Sequence, residues 1–338
     1  MTNDQTPPVY TGDIVKEYID PSREYTAATQ EIAFSAEQHA IWADLFAGIQ
    51  QAYLLEHICQ EFKSGLELLQ LDPLHIPSVS HLNQMIQPRT GWTIERTVVR
   101  YTLADDWYVK FARRIFLITD YLRTRDQMEF TPEPDMFHDI FGHLPYLTQE
   151  FYARIEDKFA PAYLKATPAE KEVMKRLAWY STEFGVVMAD NRFKVFGAGT
   201  ISGRSELANT IMEFYRLGRD NVIDYSRNVF EQLRKHYQTH KADLLRIIDG
   251  VNELHQQGQM ASQEKGWNVV HALFEKLGIA RTGYLGGEVI LAPFEVEMIA
   301  RIPKTVYAFN PMFFVCESFE QMDALLDSYL KPIAMRDS

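Results

Sequence analysis

Two histidines and three carboxylates stand within one short stretch, Thr131-Pro-Glu-Pro-Asp-Met-Phe-His138-Asp-Ile-Phe-Gly-His143-Leu-Pro145. Three prolines interrupt it and its flanks are aromatic or aliphatic, a mixture that suits a buried polar site better than a surface loop. In a regular α-helix, residues five apart lie about 140° from each other at about 100° per residue, so His138 and His143 could not comfortably share a ligand. Gly142 relaxes the backbone, and Pro145 ends the helix just beyond. A wide i to i+5 turn, of the kind found at functional sites, would bring the rings together. The expectation is a helix that closes in such a turn with both imidazoles facing one metal.

Two neutral imidazoles need a carboxylate to complete a facial triad, the set that suits non-haem Fe(II) and leaves positions open for oxygen. Glu183 is the best candidate. It sits in Trp179-Tyr-Ser-Thr-Glu183-Phe-Gly185, an acid inside an otherwise apolar and aromatic run, where a carboxylate is seldom buried without a partner. Zinc hydrolysis is the competing chemistry. The zinc-protease helix carries His-Glu-x-x-His at i, i+4, whereas the spacing here is one residue longer with Asp139 after the first histidine. That argues against a protease, though not against every zinc site.

The elements that must hold these residues read as mainly α, an α+β chain with a few short strands. Residues 1–29, with Pro7, Pro8, Gly12 and Pro21, form an irregular arm. Ser35 and Gln38 have the spacing of a capping box. The run Ile41, Trp42, Leu45, Phe46, Ile49, Tyr53, Leu54 then recurs at helical spacing. A second helix is expected over about Leu55 to Leu71, a short one over Ser80 to Ile86, and a strand over Trp92 to Tyr101. Asp105 to Leu122 reads as helix, and the chain through Met188 as helix and loop. Arg192 to Gly199 and Lys304 to Phe309 could supply short strands. Helical patterns follow at Asp224 to Tyr237, Ala242 to Leu254 and Asn268 to Leu277. Residues 30–338 are read as a single catalytic domain carrying a helical insertion at about 212–290.

At 338 residues and 46% hydrophobic content the chain can bury a large core. Its formal net charge of −12 disfavours nucleic acid and anionic lipid as partners. Two cysteines, Cys59 and Cys316, cannot build a disulfide framework. Met1 to Pro8 shows no secretory signal and no run of eighteen apolar residues exists, so the cytoplasm is the expected compartment and no membrane partner is expected.

The Thr131 to Pro145 stretch, the Trp-Tyr-Ser-Thr-Glu-Phe-Gly segment with its acid forty residues after His143, and Val195-Phe-Gly-Ala-Gly-Thr-Ile-Ser-Gly-Arg-Ser-Glu206 occur in this order. Together they resemble the tetrahydrobiopterin-dependent aromatic amino acid hydroxylases, most closely the bacterial phenylalanine 4-monooxygenase branch. The resemblance runs from about Ser35 to Glu206. It resumes from about Pro293 to the end through Pro293-Phe-Glu-Val-Glu and Phe313-Phe-Val-Cys-Glu-Ser-Phe319.

The resemblance implies Fe(II), tetrahydrobiopterin or a related reduced pterin, and O2 as co-substrate. His138, His143 and Glu183 would be the metal ligands. It further implies that Arg123 holds the substrate carboxylate, a task for which a guanidinium fork is suited. Pro134, Trp179 and Phe184 would wall the aromatic pocket, and Thr131 would touch the substrate backbone. Ser202 would orient the first metal histidine and reach the substrate. Trp107 stands where the family usually places a phenylalanine that stacks on the pterin, and Asp139 matches an acid near the pterin. Pro132 departs from the glutamine common in bacterial members.

The activity expected is ring hydroxylation of an aromatic amino acid, foremost L-phenylalanine to L-tyrosine. Tryptophan, tyrosine or meta-hydroxylation of phenylalanine remain open, because pocket differences of methylene scale are worth only about 1–3 kcal/mol. A zinc hydrolase and a non-catalytic amino-acid-binding protein are the more distant alternatives. A monomer or weak homodimer is expected, since the chain lacks the long terminal coiled-coil helix of the animal enzymes.

Overall fold

The computed structural model describes residues 27–28, 32–97, 102–129, 131, 133–217, 222–258, 281–284, 287–302, 304, 310 and 312–337. They fall into two compact units, each gathered from segments distant in sequence. The histidine unit comes from residues 10–167, 198–207 and 327–338, and the Glu183 unit from 168–197 and 208–326. The chain is mainly helical with a few short strands, as expected. Of the N-terminal arm, only Ala27 and Ala28 lie among the described residues.

In the histidine unit, the capping box closes on helix α1 (Ala36–Ile49): Ser35 Oγ accepts from Gln38 N at 3.2 Å, and Ser35 N donates to Gln38 Oε1 at 2.9 Å. The apolar face buries Ile41, Trp42, Leu45, Phe46 and Ile49, while Tyr53 of the same expected run is exposed. The second helix is shorter than its pattern: α2 is Gln60–Leu69 and ends in a left-handed Gln70 with φ 51°. Helix α3 (Val79–Thr90) leads to β2 (Thr93–Thr97), which pairs antiparallel with β1 (Ala27–Ala28).

The single helix expected from Asp105 to Leu122 is corrected. Helix α4 is Ala104–Phe111, Arg114 turns through φ 56°, and Ile115–Thr119 forms β3, parallel to β2 with Thr93 opposite Ile115. Ile-Phe-Leu-Ile-Thr is a short apolar run rich in β-branched residues, which periodicity alone does not separate from a buried helix segment.

Five aromatic rings, two of them within the segment, form the platform on which Thr131 to Pro145 is set. Phe137 stacks on Phe141 at 4.8 Å, Trp42 meets Phe137 edge-on at 5.2 Å, and Phe46 and Phe62 lie 5.1 and 5.5 Å from Phe141. Helix α2 approaches the end of that segment so closely that a Cβ on Gly65 would lie 2.0 Å from the Pro145 carbonyl oxygen.

The Glu183 unit is built on a five-stranded sheet ordered β5-β4-β8-β7-β6. Its strands are β4 (Val186–Ala189), β5 (Arg192–Val195), β6 (Arg281–Tyr284), β7 (Gly287–Pro293) and β8 (Met312–Cys316). Central β8 is parallel to both β4 and β7 and wholly buried, whereas β4–β5 and β6–β7 are antiparallel hairpins. Strand β4 replaces the helix and loop expected through Met188. Its hairpin turns at Asp190 and Asn191, both with positive φ (52° and 60°), the geometry that a two-residue turn needs to match strand twist.

Helix α5 (Pro168–Ala178) precedes the sheet, and the long α6 (Val222–Gln256) joins two of the expected helical stretches into one. Phe230, Leu233, Tyr237, Leu244 and Ile248 of α6 are buried. Lys241, Asp249 and Asn252 grip Glu297 and Arg301, with contacts of 2.9, 2.5 and 2.9 Å. The third stretch, Asn268 to Leu277, lies outside the described residues, as does the expected strand after Lys304.

A Gly65→Ala exchange tests the α2 approach. Helix propensity favours alanine by about 1 kcal/mol, but the added methyl meets a backbone carbonyl. The net result expected is destabilisation of about 1–3 kcal/mol in denaturant unfolding. Unchanged or raised stability would contradict this packing.

Candidate functional site

His138 to His143 forms one π-helical turn, and every residue in it is buried. The wider turn does what a regular helix cannot: His138 Nε2 and His143 Nε2 come within 3.1 Å, with ring planes 85° apart. The segment is set on the platform by Phe137 and Phe141, one residue before His138 and two before His143. Gly142 lets the short helix Ala198–Ser202 come close, since a Cβ there would lie 2.9 Å from the Ala198 carbonyl oxygen. That approach places Ser202 Oγ 2.9 Å from His138 Nδ1. The hydroxyl also lies 3.5 Å from the Gly199 carbonyl oxygen, which can take its proton. Ser202 then accepts from Nδ1–H, leaving the Nε2 lone pair of His138 free for a cation.

Asp135 is the hidden fastening of this turn. Fully buried, it accepts from Arg123 Nε, Nη2 and backbone N at 2.8, 2.7 and 2.9 Å and from the His138 backbone N at 3.0 Å. Burial alone would push its carboxyl up. The Arg123 guanidinium and these donors outweigh that and hold it below the ordinary carboxylate range. Arg123, expected as a substrate clamp, thus spends its Nε–Nη2 edge on Asp135 and gives Nη1 to the Ser202 carbonyl at 3.3 Å. Asp135 was legible only as an acid three residues before a histidine.

Asp139 Oδ2 accepts from Thr119 N at 2.8 Å, tying the turn to the end of β3. Phe116, also on β3, lies 5.4 Å from the His143 ring, and half-buried Trp107 packs on Phe116 and Phe111 at 4.9 and 5.6 Å. Thr131 Oγ1 donates to the Glu133 carbonyl at 2.8 Å, and Pro134 is exposed.

In the other unit Glu183 ends a second π-helical turn, Trp179–Glu183, closed by Phe184 N donating to the Trp179 carbonyl at 2.9 Å. Gly197 backs it, since a Cβ there would meet the Glu183 carbonyl oxygen at 2.3 Å. Trp179 contacts Phe184 at 4.5 Å and points its indole N–H at Asn310 Oδ1, 3.4 Å away. Lys304 Nζ lies over the Trp179 ring, 5.5 Å from its centroid. Burial holds the Lys304 ammonium below the ordinary lysine range, with Glu172 opposing that shift most.

Among the described residues, His138, His143 and Glu183 form the group that could hold a metal ion, their ligand atoms all lying within 4.8 Å of one another. Two neutral nitrogens and one carboxylate fit a divalent iron and leave further coordination positions open.

A π-turn histidine pair with one carboxylate on a mainly helical chain defines a non-haem metal protein. The family model of the biopterin-dependent aromatic amino acid hydroxylases matches residues 15–239, and the chain belongs to this family. Among curated relatives, phenylalanine-4-hydroxylase of Chromobacterium violaceum is 36% identical over 176 residues, covering 51% of this chain and 58% of that protein. The Vibrio cholerae phenylalanine-4-hydroxylase is 30% identical over 175 residues, covering 52% and 60%. The chain therefore spans less than two thirds of the length of these relatives. The solved structure of Chromobacterium violaceum phenylalanine hydroxylase bound to cobalt shares the fold, with TM-score 0.63, 22% identity and coverage of 97% and 95%. The phenylalanine hydroxylase of Legionella pneumophila does so at TM-score 0.63 and 19% identity, covering 91% and 95%.

Two exchanges separate the fastenings. Ser202→Ala removes the acceptor on His138 Nδ1–H and should weaken iron binding about 10–100-fold in a chelator competition while the fold persists. Asp135→Asn leaves Arg123 buried without a charge partner and should cost about 3–5 kcal/mol in denaturant unfolding at neutral pH. Because the native Asp135 pKa is depressed, its stabilisation is full above about pH 4, the unfolded value, and is lost as pH falls through the lower native one. That part of the acid limb should be absent from the variant.

Proposed function

We propose that this protein is an iron- and tetrahydropterin-dependent monooxygenase that hydroxylates the ring of an aromatic amino acid, foremost L-phenylalanine to L-tyrosine. The observation that carries the reading is the π-turn that brings two imidazole Nε2 atoms to 3.1 Å. What supports phenylalanine is that the bacterial relatives are phenylalanine-4-hydroxylases.

His138, His143 and Glu183 would hold Fe(II), and iron together with a reduced pterin supplies the dioxygen activation that side chains cannot perform. The chain's own residues do the rest. Ser202 keeps the proton of His138 on Nδ1, so the ring presents a lone pair. Arg123 is held by Asp135 and by the Ser202 carbonyl, and it would meet a substrate carboxylate through the Nη protons that these contacts leave. Trp179 and Phe184, in contact at 4.5 Å, would present an apolar face to the aromatic ring, Pro134 would add to it, and Thr131 would meet the substrate backbone. The Trp107 indole offers a π-face to the pterin, and Asp139, oriented by Thr119 N, supplies an acceptor beside it. Among the described residues no helix is long and apolar enough to cross a membrane. The working form is a cytoplasmic monomer or weak homodimer without nucleic-acid or membrane partners.

The test is turnover of iron-loaded protein with tetrahydropterin and oxygen against phenylalanine, tyrosine and tryptophan, with products identified by mass and chromatography. Tyrosine formed from phenylalanine is the expected result. His138→Ala, His143→Ala and Glu183→Ala should each lose iron binding and turnover together. Full activity of any of them with added iron, or zinc in the purified protein with no pterin oxidation, would overturn the reading.

A further inference from the structure

The Glu183 unit carries a cation, Lys304, that sits over an indole face. Beside Trp179, the charged groups of α5 are occupied: Lys175 Nζ pairs with Glu172 at 2.7 Å, and Arg176 Nη1 donates to the Ala300 carbonyl at 2.5 Å. Lys304, half-buried over the Trp179 ring, has neither a hydrogen bond nor an ion pair among the described residues. Glu172 and Glu183 act on it only through their field.

An ammonium drawn from water onto an indole face gains a cation–π attraction of about 0.5–2 kcal/mol, yet its three N–H donors still call for acceptors. Among the described residues of the neighbouring wall, none accepts from it. Phe184 is apolar, the Trp179 N–H is itself a donor directed at Asn310 Oδ1, and Asn310 Nδ2 donates to the Met312 carbonyl at 2.6 Å. An aromatic wall with one unspent donor is suited to a ring that carries an acceptor rather than to a bare ring.

We propose that Lys304 is a specificity-determining residue of the ring pocket, donating from its ammonium to a hydroxyl oxygen on the ring of the bound amino acid. The pocket then holds a hydroxylated aromatic amino acid more tightly than the unsubstituted one. This rests on the reading above that Trp179 walls the ring site. It has a consequence for the reaction: a tyrosine formed from phenylalanine is retained, and its release opposes turnover.

The experiment is equilibrium binding of L-phenylalanine and L-tyrosine to the iron-loaded protein without pterin, by calorimetry, for the wild type, Lys304→Met and Lys304→Arg. Iron content and circular dichroism of each variant confirm that the site is formed. A hydrogen bond from a charged donor predicts tyrosine bound at least about tenfold tighter than phenylalanine in the wild type. In Lys304→Met the ratio of the two dissociation constants should fall to about one, and in Lys304→Arg the preference should return. A ratio unmoved by Lys304→Met overturns the proposal. So does an equal loss for both ligands, which would show the ammonium reading the amino-acid head they share. If neither amino acid binds the wild type, the reading of the site as an aromatic amino acid pocket fails as well, which separates the two failures.

Discussion

Two imidazoles five residues apart can serve one metal only where the helix between them widens, and much of the histidine unit can be understood as maintenance of that wide turn. A π-turn is less favourable than a regular one and persists only where its surroundings over-determine it. Here the surroundings act from three sides. The Phe137–Phe141 stack, backed by Trp42, Phe46 and Phe62, fixes the buried face. Asp135 holds the entry through the His138 backbone N, and Thr119 N holds Asp139 one residue further on. Gly142 admits Ala198 and with it the Ser202 hydroxyl. Steric, ionic and hydrogen-bonding constraints thus converge on six residues.

The Glu183 unit solves a related problem with the same device. Its acid closes a second π-turn, backed by a glycine where a side chain would collide with the Glu183 carbonyl. The β4–β5 hairpin that follows reverses within two residues and returns the chain to Gly197. Glycine is therefore used for close approach at Gly65, Gly142 and Gly197 alike, each time beside a segment that bears or borders a ligand.

Charge is distributed unevenly. Arg123 and Asp135 are both buried and form a forked pair, which offsets its desolvation cost through that geometry and further donors to the carboxylate. Among the described residues Lys304 has no such partner and relies on an indole face and more distant acids. The first arrangement is what rigid positioning of a histidine requires.

While the pairing of Ser202 with His138 came from the family resemblance, residue type and spacing were enough to single out His138, His143 and Glu183 and to call for a widened turn. These follow from local chemistry: ligand identity is carried by the side chain, and an i to i+5 separation has few solutions. The capping box at Ser35 was legible for the same reason. The strands Ile115–Thr119 and Val186–Ala189 were not, because a buried strand shows no alternation and looks like helix until its neighbours are known. Nor could the sequence assign Arg123 to Asp135 or set Lys304 over Trp179. Those outcomes depend on which charges the folded backbone brings within hydrogen-bond reach, a distance that only tertiary packing decides.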